Sequence, residues 1–194
     1  MPNRGQTAEN RTLFVVCDGL GGHSIGEVAS ETVDKAVCDF WSKNEFRQDT
    51  LEKAQEACQY AFAALNKRAD ELRQVEMGTT LVLASVEGDK VTIAHCGDSR
   101  CYLLRPGEGS IYRTKEHISL SFGWEIVTNC FFSYHGTAAV PELRQFELQK
   151  GDRLFLCTDG VYKAPAPEIL GARLLDDRTP DDVVDVQVYE ISMP

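Results

Sequence analysis

The sequence predicts a single α+β domain in which helices pack on antiparallel sheets. Three observations point there. The 194 residues match one large domain, and 43% of them are apolar, enough for a core. Two long stretches ahead of Gly78 carry apolar side chains at three- and four-residue steps, the period of a helix lying on a core. Beyond Gly78 the apolar runs become short and strand-like, separated by glycine-bearing turns.

The elements follow in order. Thr12-Leu13-Phe14-Val15-Val16-Cys17 is a continuous apolar run with β-branched members, and it predicts a buried strand ending at Asp18-Gly19. Gly19-Leu20-Gly21-Gly22-His23 is a glycine-rich turn. From Ile25 to Lys43 a stripe of Val28, Val33, Ala36, Val37 and Phe40 predicts a helix. Asp49-Thr50-Leu51-Glu52 has the spacing of a capping box, with Asp in place of Ser or Thr. It opens a second helix whose core face is Leu51, Ala54, Cys58, Ala61, Leu65 and Leu72. Thr79–Val86 and Lys90–Cys96 flank Glu87-Gly88-Asp89 as a hairpin. Arg100–Arg105 is a further strand, followed by a turn at Pro106-Gly107-Glu108-Gly109. Residues 117–140 mix Gly, Ser, aromatic and small residues, and are expected to form a surface flap with short elements. Arg144–Leu148 and Arg153–Cys157, either side of Gly151-Asp152, are expected as a strand pair. Glu168–Leu175 is expected as a short helix, and the alternating Val183–Ile191 as the final strand. No repeat, linker or low-complexity tract interrupts this order, so residues 1–194 read as one domain.

Lys and Arg number 20 against 30 Asp and Glu, a net charge of −10. Nucleic acid and anionic membrane surfaces select basic patches, so neither is the expected partner. No apolar run approaches the ~18–20 residues of a membrane span, and Met1-Pro2-Asn3-Arg4-Gly5 lacks the apolar stretch of a signal peptide. The seven cysteines include no C-x-x-C pair, which argues against a zinc ribbon or thioredoxin-like site. Most lie inside apolar runs and are expected as reduced core residues of a cytoplasmic protein.

The chemistry concentrates on aspartates. Asp18 follows LFVVC, Asp159 follows RLFLCT, Asp181 precedes VVDVQV, and Asp98 in Gly97-Asp98-Ser99 follows VTIAHC. Carboxylates at strand ends are held by rigid backbone yet reach open space, the arrangement hard divalent cations want. A glycine after the aspartate lets the backbone approach closely, so that its carbonyl can serve as a further ligand. One Asp-Gly pair is ordinary turn chemistry. Two strand-Asp-Gly units in one chain, the first followed by Leu-Gly-Gly-His, point to a site.

The segments LFVVCDGLGGHSIGEVAS, MGTTLVLASVEGDKVTIAHCGDSRCYLLR, GDRLFLCTDGV and DDVVDVQVYEI run in this order from Leu13 to Ile191. In content and spacing they resemble the type 2C metal-dependent protein phosphatases, above all their compact bacterial members. The resemblance implies two antiparallel sheets face to face with helices outside, a four-layer α-β-β-α sandwich, and a centre of two Mg²⁺ or Mn²⁺ ions in the cleft at one end. It implies Asp18 as the bridging ligand, Gly19 as a carbonyl ligand, and Asp159 and Asp181 as the remaining carboxylates, with Asp98 the candidate for a third site. The implied reaction is hydrolysis of phosphoserine or phosphothreonine in proteins by a water that the two ions activate, with no phosphoenzyme. The expected partner is therefore a phosphoprotein substrate, and the expected state a monomer.

Several positions depart from the family pattern. An Arg-bearing first strand and an Asn-Glu-Asp motif normally precede the first aspartate, but only 17 residues precede Asp18. Arg4 and Glu9 are too close to it to replace them, so a first strand is expected to be missing. Lys163 stands where the family often has an Asp that helps hold a third ion, and a cation there opposes such an ion near Asp98. Lys115-Glu116-His117 replaces Thr-Asp-His at the start of the flap, and Asp182-Val183-Val184 replaces Asn-x-Thr. Only 20 residues separate Gly160 from Asp181, short enough to imply a lost helix. Leu20 occupies the place where animal and plant members often carry a general-acid His. His23 fits the bacterial Gly-Gly-His pattern, chiefly as a residue shaping the loop and only secondarily as a catalytic candidate, with His95 and His117 behind it. Arg100 is expected in a structural ion pair.

Two rival readings stand beside the phosphatase. Gly97-Asp98-Ser99-Arg100 is similar to the block that carries the nucleophile of serine esterases, but here it is central and no histidine follows Asp181. The stronger rival is a degenerate phosphatase domain that binds a phosphoprotein or partner without turnover. The departures favour it, whereas clustered, mutually repelling carboxylates have no use in a dead site.

Overall fold

The computed structural model describes residues 6–8, 11–20, 23–44, 50–73, 75–134, 139–163 and 188–190. The first part of the chain holds β1 (Gln6–Ala8), β2 (Arg11–Val16), β3 (Gly19–Leu20), α1 (His23–Lys43) and α2 (Thr50–Glu71). Then come β4 (Gly78–Thr79), β5 (Leu81–Glu87), β6 (Lys90–Cys96), β7 (Arg100–Arg105) and β8 (Gly109–Arg113). Three short strands follow, β9 (Ile118–Ser121), β10 (Trp124–Val127) and β11 (Phe131–Phe132). The last described elements are β12 (Glu142–Glu147), β13 (Arg153–Cys157), the single turn α3 (Asp159–Tyr162) and β14 (Val188–Glu190).

Two antiparallel sheets form the body, one in the order β1-β2-β5-β6-β12 and one in the order β14-β13-β7-β8. Strand alternation assigns each apolar residue to a layer. Leu13 and Val15 of β2, Leu81 and Leu83 of β5, and Ala94 and Cys96 of β6 face α1 and α2, meeting Val33, Val37, Ala57, Ala61 and Leu65. Their neighbours Phe14, Val82, Ala84, Val91 and Ile93 face the other way, onto Cys101, Leu103, Leu154 and Leu156 of the second sheet. Because both faces of these strands are covered, they read as unbroken apolar runs rather than as alternating ones. On the far side of the second sheet Leu104, Phe155, Cys157 and Tyr162 gather beneath α3. The architecture is thus the expected α+β sandwich flanked by helices, with all seven cysteines free.

Some expectations change. The edge of β2 is not bare: β1 runs antiparallel to it, pairing Gln6 with Leu13 and Ala8 with Arg11. The gap expected from a missing first strand is filled there by residues just upstream. On α2, Leu51 is exposed, whereas Leu72, one residue past the helix end, still packs against the core. Lys53 is buried in that first turn instead, beside Thr50, its ammonium 4.3 Å from the centre of the Trp41 ring. Arg144–Leu148 and Arg153–Cys157 do not pair with each other. β12 joins β6 in the first sheet and β13 joins β7 in the second. Between them, fully buried Asp152 accepts hydrogen bonds from Arg105 Nε (2.8 Å) and Nη2 (2.9 Å) and from the Gln149 N–H (2.9 Å). That junction hands the chain from one sheet to the other. The expected helix Glu168–Leu175 and the start of the expected final strand lie outside the described residues; β14 is its described part, antiparallel to β13. Among the described residues no helix is long and apolar enough to cross a membrane.

Candidate metal centre

β2 and β6 both run antiparallel to β5, so they finish at the same end of the first sheet. Cys157 at the end of β13 pairs with Arg100 at the start of β7, just past Gly97-Asp98-Ser99. This topology brings Asp18, Asp98 and Asp159 to one end of the sandwich.

The backbone around Asp18 is fixed on every side. Its N–H donates to Thr80 Oγ1 (3.0 Å), and its carbonyl accepts from the Thr80 N–H (2.8 Å) and from Thr79 Oγ1 (2.9 Å). Thr80 Oγ1 also shares a hydrogen bond with Ser99 Oγ at 2.7 Å, in full burial. One threonine therefore ties the end of β2 to the turn that carries Asp98. Gly19, which follows Asp18, lies against Gly26 of α1 so closely that an added Cβ would come within 2.1 Å of the Gly26 carbonyl oxygen. No side chain fits there, and this contact brings α1 onto the site.

Gly97 sits at φ 112°, and an added Cβ would lie 2.6 Å from Thr80 Cβ. His117 holds this glycine from both sides: its N–H donates to the Gly97 carbonyl (2.9 Å), and its Nδ1 accepts from the Gly97 N–H (3.1 Å). The Asp98 carbonyl accepts from Tyr162 Oη at 3.0 Å, which connects the turn to α3. The Arg100 guanidinium lies 3.4 Å over the Tyr162 ring and pairs with Glu116, the structural ion pair expected of it. Asp159 is the first residue of α3, directly after β13.

The electrostatics of this corner are strained by like charge. Asp18 and Asp159 come within hydrogen-bonding reach, and burial together with the charges of Asp159 and Asp98 pushes the Asp18 carboxyl up to about 6. Burial and Asp159 raise Asp98 as well. Carboxylates crowded this way hold protons in place of cations, so the donor set fits hard divalent ions. One cation is already present: Lys163 Nζ donates to Asp159 Oδ2 (3.2 Å) and to Glu125 Oε2 of β10 (2.9 Å).

Three of the aspartates singled out by sequence thus converge, with Gly19 adjoining them. Asp181 lies outside the described residues, as does the side chain of His23, whose backbone opens α1. Sequence reasoning singled out none of Thr80, Tyr162 and Glu125: Thr80 sits unremarked inside the MGTTLVL segment, and Tyr162 and Glu125 lie outside the quoted motifs. His95, His117 and Glu142 form a second cluster, with possible ligand atoms within 4.8 Å of one another. The two imidazoles stack, centroids 4.6 Å apart at 25°, so their in-plane lone pairs run side by side instead of meeting at an ion. His117 Nδ1 is moreover occupied by Gly97. Burial and the neighbouring His117 lower His95 to about 4, leaving it neutral. This pair braces the Gly97-Asp98 turn.

Comparison with known proteins concerns the chain as a whole. The signature of the protein phosphatase 2C family matches residues 4–185. The chain is 32% identical over 171 residues to the serine/threonine protein phosphatase PstP of Mycobacterium tuberculosis, covering 81% of this chain but only 33% of that protein. It is 36% identical over 205 residues to the serine/threonine phosphatase stp of Listeria monocytogenes, covering 93% and 79%. The crystal structure of M. tuberculosis PstP superposes with a TM-score of 0.74 at 28% identity, over 91% of this chain and 84% of that one. The PstP catalytic domain in complex with two manganese ions superposes with a TM-score of 0.71 at 29% identity, over 91% and 83%. By sequence and by fold, this chain belongs to the protein phosphatase 2C family.

Proposed function

We propose that the protein is a metal-dependent serine/threonine phosphatase acting on phosphoproteins. The observation that carries this reading is the convergence of Asp18, Asp98 and Asp159 at one end of the sandwich, crowded enough to raise Asp18 to about 6. Asp18, the Gly19 carbonyl, Asp159 and Asp181 would hold two Mg²⁺ or Mn²⁺ ions, with Asp98 at the edge of the set. Two such ions would supply a water acidic enough to lose its proton and attack phosphorus as hydroxide, and a clamp for the phosphoryl oxygens. The chain's own part is to hold the carboxylates in place. Thr80 fixes the Asp18 backbone, His117 and Tyr162 fix the Asp98 turn, and α3 fixes Asp159. Lys163 offsets part of the negative charge around Asp159.

A second reading, a module that binds phosphoprotein without turnover, draws on Lys163, whose ammonium already occupies an oxygen of Asp159. The deciding experiment is hydrolysis of p-nitrophenyl phosphate and a phosphothreonine peptide with Mn²⁺ or Mg²⁺, with and without chelator, beside calorimetric counting of bound ions. Chelator-sensitive turnover with two ions bound supports the enzyme. Ion binding and peptide binding with no turnover would establish the module. Turnover indifferent to chelator would reject the metal centre.

A further inference from the structure

We propose that the β9–β10 hairpin presents Leu120 and Phe122 as an apolar ledge beside the metal centre, which receives a hydrophobic side chain of the phosphorylated substrate segment; this rests on the phosphatase reading. The hairpin register pairs Leu120 with Glu125, and Trp124 with Ser121. Directly opposed residues share a face. Leu120 therefore shares a face with Glu125, whose carboxylate accepts from Lys163 Nζ at 2.9 Å, and that ammonium donates to Asp159 at 3.2 Å. Leu120 thus projects on the side of the hairpin that is bonded to the centre.

Two features set this surface apart from an ordinary loop. Leu120 is 77% exposed and Phe122 fully so, with Ile118 partly exposed on the same side. Phe122 also sits at φ 51° and Gly123 at φ 83°, the pair of positive values of a two-residue hairpin turn that prefers Asn-Gly or Asp-Gly. A bulky residue at positive φ works against local stability, so presentation of the ring at the tip, not turn chemistry, accounts for Phe122.

The occupant follows from position and charge. A substrate whose phosphoryl group sits at the centre continues past the hairpin, advancing ~3.3 Å per residue if extended. A side chain about two to four residues from the phosphorylated one reaches Leu120, which stands ~5 Å across the hairpin from Glu125. Acidic flanking residues are disfavoured by Asp98, Asp159 and Glu125, and Lys163 is already engaged by two carboxylates. The ledge selects Leu, Ile, Met or Phe.

The test uses two phosphothreonine peptides of equal length, one with Leu and one with Ser three residues from the phosphothreonine. The Mn²⁺-loaded protein should prefer the Leu peptide by on the order of tenfold in kcat/KM, mostly through KM. Leu120→Ser and Phe122→Asn should bring the ratio between the two peptides close to one. Because Asn suits the turn better than Phe, a loss of selectivity in Phe122→Asn is not a folding failure. Anisotropy of the same labelled peptides reads the ledge independently of turnover. If p-nitrophenyl phosphate is not hydrolysed, the phosphatase reading fails, and the anisotropy ratio alone judges the ledge. A ratio near one in the parent, or one unchanged in both variants, overturns the proposal. So does a concentration-dependent dimer that Leu120→Ser abolishes without any peptide preference, which would make the ledge a contact between copies of this chain.

Discussion

The corner that holds Asp18, Asp98 and Asp159 and the hairpin beside it are built on opposite principles. At the corner, Thr80, Ser99 and Gly97 are locked together by buried hydrogen bonds and by a glycine that admits no side chain. The hairpin packs little of its surface: Leu120, Trp124 and Ile126 are all exposed, and Lys163 joins it to the centre through a half-exposed ion pair. A two-stranded hairpin is marginal by itself. The comparison teaches that charge crowding here sits on a backbone that cannot yield, whereas an exposed hairpin can be held loosely.

The largest expected effect falls on the corner. Asp159→Asn should lower metal-dependent hydrolysis by orders of magnitude, since on the proposed reading it removes a charge that would hold the ions. Its metal-free melting temperature should stay the same or rise, because a repulsion with Asp18 disappears. Activity within a few fold of the parent, read by steady-state kinetics, would break the claim that the corner is the reactive end.

Next comes backbone. Gly97→Ala places a Cβ 2.6 Å from Thr80 at φ 112° and should cost roughly 2–4 kcal/mol, measured by urea unfolding. A neutral result would mean that the Gly97–Thr80 contact can relax, and that the corner is less rigid than its hydrogen bonds suggest.

A pH comparison sharpens the electrostatic half. Asp18 titrates near 3.8 when unfolded and about 6 when folded, so between those values the folded chain keeps a proton that the unfolded chain has released. Its contribution to metal-free stability therefore falls as pH rises through that window and is level above it. Buried His95, lowered to about 4, contributes in the opposite sense, losing stability as pH falls below its unfolded value. The clean measurement is a difference. Asp18→Asn should gain on the parent by about 1–3 kcal/mol from pH 4 to pH 7, with His95 cancelling between the two. Calorimetric ion binding should weaken below about pH 6 for the same reason.

The smallest effect belongs to the tether. Lys163→Met should change global stability by only ~0–1 kcal/mol, as expected of half-exposed ion pairs. It should nonetheless increase acrylamide quenching of Trp124, while Trp41, a buried residue of α1, stays protected. Unchanged quenching would show that the hairpin is positioned by something other than Lys163.

The sequence made the fold legible where periodicity was strong. Val33, Val37, Ala61 and Leu65 face the core as their spacing requires, and Asp18, Asp98 and Asp159 meet because each marks the edge of an apolar strand. It was silent where the deciding contact lies far along the chain. A turn at Gly151-Asp152 is visible in the residues, but not that Arg105 takes Asp152 and sends the next strand to the other sheet. Short polar residues such as Thr80 carry no periodic signal, although this one stitches Asp18 to Ser99. Expectations for residues 117–140 remained loose because a hairpin exposed on both faces shows no buried stripe.

The crossing at Asp152 also sets an order of events during synthesis. β12 closes the first sheet against β6 only after the whole 97–141 stretch has emerged, and β13 then joins β7 in the second sheet, whose outer strand β14 comes later still. Until Asp152 leaves the ribosome, Val91, Ile93 and Leu103 have no partner layer from β13, and the nascent chain exposes their apolar surface to chaperones. The aspartate corner is then assembled late, when Asp159 follows β13 into place beside an Asp18 made some 140 residues earlier.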